Sequence, residues 1–368
     1  MTARTTPPFR ADHVGSLLRP QPVKDARARL EKKEIGAAEL KAVEDREIEK
    51  LIRKQEEIGL HAITDGECRR AFWHYDFLVG LDGVDFRQLE QGWQFKGATL
   101  KPIQPTVVGK LGFSNHPFID HFRFVKQHTK RTPKMTIPSP SALHFRNGRQ
   151  SVPELVYPRM EDFFDDLGKT YAKAVRAFAD AGCRYLQLDE VFIAYLCDPE
   201  QRKVLSSRSE DPERILHVYA DLINASVKDI PTDMTITMHL CRGNFKSTFV
   251  ASGGYEPVAD VLFNQTNVDG YFMEFDSDRS GGFEPLRFVP KGKLVVLGVV
   301  TSKTGELEPK DAIKRRIEEA AKFVDIDQLC LSTQCGFAST EEGNAVTEEQ
   351  QWAKLRMVID IADEVWGK

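Results

Sequence analysis

Short runs rich in β-branched and other apolar residues alternate along the chain with longer stretches in which apolar residues recur every three to four positions among charges. The runs at 11–16 (ADHVGS), 61–65 (HAITD), 134–138 (KMTIP), 185–189 (YLQLD), 234–239 (MTITMH), 270–274 (GYFME), 294–299 (LVVLGV) and 328–332 (QLCLS) read as strands. The clearest helical patterns cover 37–59, 159–182, 211–228, 308–323 and 345–366, and 20–36 reads as a short helical lead-in. Strand–helix alternation implies parallel pairing. Eight such units predict an α/β fold, a closed (β/α)8 TIM barrel, with a doubly wound sheet as the competing arrangement. Segment 75–130 is irregular and rich in Phe, Gly and Pro, and it reads as an insertion between strands 2 and 3 that lies over one end of the barrel. No Pro/Gly/Ser linker cuts the chain, so 1–368 reads as a single barrel domain.

Composition narrows the function classes. The chain has 368 residues, 41% hydrophobic and 29% charged, which is ordinary for a soluble globular protein. Lys and Arg number 51 against 55 Asp and Glu, a net charge of −4, so no basic surplus points to a nucleic-acid partner. No uninterrupted apolar stretch reaches the length of a membrane span, and the opening MTARTTPPFRADH lacks the apolar core of a signal peptide. The six cysteines (68, 183, 197, 241, 330 and 335) form no C-x-x-C pair and are too few for a disulfide scaffold. A reduced, cytoplasmic setting is the expectation, with each thiol either a small buried group or a ligand or nucleophile.

In a barrel of this kind, chemistry sits at the C-terminal ends of the strands. The fifth predicted strand runs into Met238-His239-Leu240-Cys241, and residues two apart on a strand share a face, so His239 and Cys241 can share one metal ion. The sixth ends in Glu274, and Cys335 follows the eighth. His, Cys, Glu and Cys make a tetrahedral N/S/O set suited to Zn2+. A lone His-x-Cys is weak evidence, a lone buried Cys is more often packing, and a lone Glu is often a cap or salt bridge; the case rests on the set. Its ligands span 335 − 239 = 96 residues, unlike the close pairs of a structural zinc finger. The carboxylate is a harder donor than thiolate and is the ligand an incoming thiol would displace, with no change in net charge at the metal. Cys183, Cys197 and Cys330 read as packing cysteines, while Cys68 adjoins a candidate site.

Other strand ends add polar groups. Gly15-Ser16, Glu67 and Asp189 together could hold a zwitterion, the carboxylates taking an ammonium and the turn N–H groups a carboxylate. Glu67 or Asp189 could equally cap the following helix. Arg242 could pair with an anionic substrate group or with Asp276 or Asp278.

These residues lie in a series of motifs: HVGSLLRP, TDGECRR, LQLDE, HLCRGN, MEFDSDRSGGFEPL and STQCGF. In order and spacing the series resembles the cobalamin-independent methionine synthase family in its single-barrel form, matching the catalytic half of the full-length enzymes. The resemblance implies zinc held at His239, Cys241, Glu274 and Cys335, and a homocysteine amino-acid group bound at Ser16, Glu67 and Asp189. It implies an S-methyltransferase that activates the thiol as zinc thiolate and methylates it from a methylated folate or another donor, giving methionine. Two departures concern the donor. Where the full-length enzymes carry a His in an Asp-Ile-His-Ser run, thought to supply a proton, this chain reads Val299-Val300-Thr301-Ser302-Lys303. Where they carry a Trp beside the pterin, it reads 138–145 (PSPSALHF), in which His144 and Phe145 could substitute or could simply pack.

Competing chemistries share the zinc. Epoxyalkane:coenzyme M transferases resemble this pattern, but a sulfonate substrate has no use for the ammonium-binding pair Glu67 and Asp189. A non-catalytic zinc- or thiol-binding protein would bind metal and form no thioether. A metallohydrolase fits poorly, since two thiolates make zinc a weak Lewis acid toward water.

Overall fold

The computed structural model describes residues 4–92, 94–99 and 101–367. Six strands form one parallel sheet in sequential order: Met135–Pro138, Tyr185–Asp189, Thr235–Leu240, Gly270–Glu274, Leu294–Val300 and Leu329–Thr333. Their near-complete burial explains why they read as continuous apolar runs. Ala62–Ile63 pairs in parallel with Thr132–Pro133, just ahead of the Met135–Pro138 strand. Closure falls to the segment around Ala11, which bridges Leu331 in parallel and meets the Ala62 carbonyl through His13 Nε2 at 3.0 Å. The result is a (β/α)8 barrel.

The predicted strand at 11–16 is extended chain with a single bridge. Its carbonyls accept from neighbouring side chains instead of a backbone ladder: His13 from Lys134 Nζ (2.6 Å), Val14 from Gln187 Nε2 (2.7 Å) and Gly15 from Thr64 Oγ1 (2.7 Å). Lys134 also forms a fully buried pair with Asp12 at 3.2 Å, and Asp12 accepts from Tyr185 Oη at 2.8 Å.

The long helices follow their apolar spacing. Met160–Asp180 buries Phe163, Leu167, Tyr171, Ala174 and Phe178 along one face. Ala37–Ile58 begins where Gly36 N–H donates to Glu39 at 3.0 Å and ends at Gly59, whose φ of 107° lets the chain leave the helix. Gln21–Glu31 is the lead-in, and Pro212–Val227, Lys310–Ala320 and Glu348–Trp366 cover further strands. Two expectations need correction. The described residues of 75–130, read as irregular, hold a helix at Tyr75–Leu78, an antiparallel pair of Asp82–Gln88 with Ile103–Gly112, and the barrel's own second helix, Phe118–His128. The sixth unit has two short 3-10 turns, Asp278–Ser280 and Glu284–Phe288, in place of an α-helix, since Gly281, Gly282 and Pro285 interrupt it. Among the described residues no helix is long and apolar enough to cross a membrane.

Gly298 lets the strands bearing the site converge. A Cβ there would lie 2.6 Å from Gln334 Cα and 2.8 Å from the Met273 carbonyl, so only glycine fits between the chain ends that carry Glu274 and Cys335.

Candidate metal centre and substrate cavity

Three strand ends deliver the quartet. His239 lies within Thr235–Leu240 and Cys241 follows it; Glu274 closes Gly270–Glu274; Cys335 stands two residues beyond Leu329–Thr333. One ligand atom from each of His239, Cys241, Glu274 and Cys335 falls within 4.8 Å of every other. The two Sγ atoms are 3.6 Å apart. All four side chains are buried, yet neither ring nitrogen of His239 nor Oε1 of Glu274 has a hydrogen-bond partner. Buried polar groups are ordinarily paired, so this is a donor set short of its acceptor. Two sulfurs, one imidazole and one carboxylate fit zinc in type and number. Arg279 donates to Glu274 Oε2 at 3.0 Å and pairs with Asp276 at 2.9 Å.

Arg242 takes a different part from either one expected of it. Its guanidinium donates to the Gly253 carbonyl (2.7 Å) and Tyr255 Oη (2.7 Å) and lies over the Tyr255 ring, while Arg279 occupies the place beside Asp276. Arg242 therefore folds the loop that follows Cys241.

A cavity of about 580 Å3, counting its open mouth, stands over the quartet. Ser16, Glu67 and Asp189 line it together with His239, Cys241 and Cys335, the three of the quartet that reach its wall. Glu67 has a left-handed backbone (φ 57°) just after Gly66, a costly conformation for a non-glycine residue that aims its side chain inward. Its Oε1 accepts from Thr136 Oγ1 at 2.9 Å and faces Arg70 at 3.4 Å, and its Oε2 has no partner. Burial pushes its carboxyl up, opposed by Arg70 and Arg19. Burial, reinforced by the Glu67 charge, pushes Asp189 up to about 7. Gln187 donates to Asp189 Oδ1 at 2.7 Å. Neither carboxylate caps a helix: the neighbouring Glu190 does, accepting from Phe192 and Ile193 N–H at 2.9 Å. Ser16 packs against 336–338, where its Oγ accepts from Ala338 N–H at 3.3 Å.

His144 and Phe145 are packing residues. His144 bonds Tyr219 Oη at 2.9 Å and faces Glu210, and Phe145 stacks on Phe192. Ser302 is buried and donates to the Gly336 carbonyl at 3.0 Å; Lys303 is spent on Asn244 Oδ1 and the Gly243 and Thr248 carbonyls. Cys68, Cys183, Cys197 and Cys330 are buried among apolar neighbours. The cavity is also lined by residues that the sequence did not single out, among them Phe72, Trp73, His74 and Arg146. For Phe72, Trp73 and His74 the signal was the dense FWHY run at 72–75, one residue beyond TDGECRR.

Barrel and quartet together define a (β/α)8 protein with a candidate metal centre at the mouth of its strands. Residues 9–364 match the catalytic domain of the cobalamin-independent synthases, and the chain belongs to that family of methionine synthases. It is similar to two uncharacterized proteins of Bacillus subtilis strain 168: YxjH, 52% identical over 98% of this chain and 95% of that protein, and YxjG, 50% identical over 99% and 96%. A 5-methyltetrahydropteroyltriglutamate–homocysteine methyltransferase of Bacillus velezensis is 22% identical over 96% of this chain, which spans 42% of that longer protein. Among solved structures, one from Listeria monocytogenes, provisionally described as a vitamin B12-independent methionine synthase, superposes with a TM-score of 0.80 at 41% identity, covering 99% of this chain and all of that one. A B12-independent methionine synthase from Shewanella sp. W3-18-1, in complex with selenomethionine, shares the fold (TM-score 0.71, 19% identity, 97% of each chain).

Proposed function

We propose that the protein is a zinc-dependent S-methyltransferase that converts an amino-acid thiol of the homocysteine class to its methyl thioether. The observation that carries this reading is the buried quartet with its unpaired His239 nitrogens and Glu274 oxygen, of which His239, Cys241 and Cys335 line the same cavity as Glu67, Asp189 and Ser16. His239, Cys241, Glu274 and Cys335 would hold the metal, which when bound lets a substrate thiol exist as thiolate at neutral pH. Glu67 and Asp189 take the substrate ammonium by charge-assisted hydrogen bonds, and that pair favours an amino acid over a sulfonate. The 15–16 turn receives the carboxylate. The walls exclude water, which would otherwise compete for a methyl group under attack. In the transfer, a sulfur–carbon bond forms and the carrier–carbon bond breaks with its electron pair staying on the carrier; the proton lost by the thiol balances the one a nitrogen carrier gains.

The selenomethionine complex of the Shewanella relative, a product-like amino acid, supports the substrate class. The deciding assay incubates the zinc-loaded protein with homocysteine and, separately, methylated folate as mono- and polyglutamate and methylcobalamin, and measures methionine. Zinc binding without thioether formation from any of these donors would reduce the protein to a metal- or thiol-binding role.

A further inference from the structure

The cavity over the quartet is also lined by a histidine that the methyl-transfer reading does not use. His74 is 1% exposed and lines the cavity, and neither of its ring nitrogens has a hydrogen-bond partner. Its ring stacks on Trp73 (centroids 4.2 Å, 24°) and lies tilted against Tyr75 (4.2 Å, 40°). The segment around it is pinned on both sides. Trp73 N–H donates to the Ser339 carbonyl at 2.8 Å, Phe72 N–H donates to Asp76 at 2.8 Å, and Arg146 donates to Tyr75 Oη at 2.9 Å. The imidazole is thus held where no protein group satisfies it, an arrangement that buried polar groups rarely show without a ligand. Burial and the nearby Arg146 cation both keep it neutral, so it offers one donor and one acceptor. Around it the cavity is aromatic, with Phe72 on the same wall and Phe95 and Phe245 packed together at 5.4 Å.

We propose that His74 determines donor specificity by hydrogen bonding the edge of a planar, uncharged heteroaromatic methyl carrier lodged against this aromatic wall. The proposal rests on the methyl-transfer reading for its choice of ligand. Flat rings match the stacking surfaces. A ring edge that carries an amide, as in a reduced pterin, presents the acceptor and donor that a neutral imidazole requires. A cationic head would meet Arg146 unfavourably.

The test uses tetrahydrofolate, which has no methyl group to transfer, so that binding is read apart from turnover. Quenching of tryptophan fluorescence gives its dissociation constant for the zinc-loaded wild type, His74→Phe and His74→Gln. His74→Phe keeps a ring in the stack and removes both nitrogens, and should bind tetrahydrofolate about 10- to 100-fold more weakly, the range for a lost buried hydrogen bond. His74→Gln, which again supplies a donor and an acceptor, should recover part of the loss. Methionine affinity and zinc content should stay at wild-type levels in both. Should His74→Phe fail to fold, the wild type alone decides: its His74 ring-nitrogen resonances should shift when tetrahydrofolate is added. Equal affinity in wild type and His74→Phe, or unmoved resonances, would overturn the role of His74 and leave methyl transfer standing. Wild-type protein that methylates homocysteine from another donor but does not bind tetrahydrofolate would overturn it too. His74-dependent tetrahydrofolate binding with no thioether formed would sustain the site and sink the reaction.

Discussion

Arg279 donates to Oε2 of Glu274 at 3.0 Å, while Oε1 of the same carboxylate has no partner. One oxygen is therefore fixed by a guanidinium and the other is left for a ligand. Groups that orient a metal ligand in this way typically account for about 10- to 100-fold in metal affinity. Arg279→Met should retain the fold and weaken zinc by about that factor, read by competition with a chromogenic chelator. Wild-type affinity in the variant would show that Glu274 needs no such support.

The four thiols outside the quartet give an internal control for the two within it. Cys241→Ser and Cys335→Ser should each lose bound zinc, since both sulfurs belong to the donor set. Cys330 packs with Val14, Phe272 and Val296 inside the barrel. Cys330→Ser buries a hydroxyl among apolar groups, so it should lower stability by about 1–3 kcal/mol and leave zinc content unchanged. Elemental analysis with thermal unfolding of the three variants separates the two effects. Full zinc in Cys335→Ser would remove it from the metal site.

How much of this was legible depended on which forces fix each part. Tyr185–Asp189 and Gly270–Glu274 match the expected strands residue for residue, because strands buried on both faces write themselves as apolar runs and their terminal acids fall at the mouth. The 11–16 segment misled because its carbonyls are satisfied by Lys134, Gln187 and Thr64, side-chain partners that no local pattern announces. Phe118–His128 was hidden in an aromatic-rich stretch, although Phe118, Phe122 and Val125 do form a buried stripe. The quartet was legible as a set of strand ends. Arg242 was misplaced because its acceptors are mostly backbone carbonyls brought in by a loop. Trp73 and His74 owe their positions to ring stacking and to the pairing of Phe72 with Thr340 and of Trp73 N–H with the Ser339 carbonyl, contacts that exist only once the barrel has closed.

Acid should destabilise the protein through a histidine remote from the quartet. His116 Nδ1 accepts from Phe118 N–H at 3.2 Å, a bond only an unprotonated nitrogen can make, while Nε2 donates to the Phe77 carbonyl at 2.9 Å. Burial lowers it to about 4 from an ordinary 6.5. Between those values the unfolded chain binds a proton that the folded chain refuses, so the stability this group confers is full above 6.5 and is lost as pH falls toward 4. The loss is at most about 3 kcal/mol at 1.36 kcal/mol per pH unit. Urea unfolding at several pH values should show a dependence shallower by up to one proton in His116→Asn than in wild type. Parallel curves would mean that His116 titrates alike in both states.

Recognition of the amino acid is best tested with methionine, which has no thiol to titrate and places no demand on a methyl donor. Glu67 presents an unpaired Oε2 to the cavity, and Asp189 faces it across the same space. Removing either charge costs one charge-assisted hydrogen bond to an ammonium, about 1.5–3 kcal/mol, or roughly a 10- to 100-fold rise in dissociation constant. Glu67→Gln and Asp189→Asn should each show that rise by calorimetry and keep their zinc. The opposite end of the amino acid depends on the 15–16 turn, which Gly336 supports by close approach. A Cβ at Gly336 would fall 1.9 Å from Ser16 Oγ and 3.2 Å from Ser16 N, so Gly336→Ala must push the turn away from the cavity. That variant should lose methionine affinity as the carboxylate variants do, although no charge has been removed. If all three variants bind methionine as the wild type does, the ammonium and carboxylate sites lie elsewhere, and the sulfonate class of thiol becomes the better reading of the cavity.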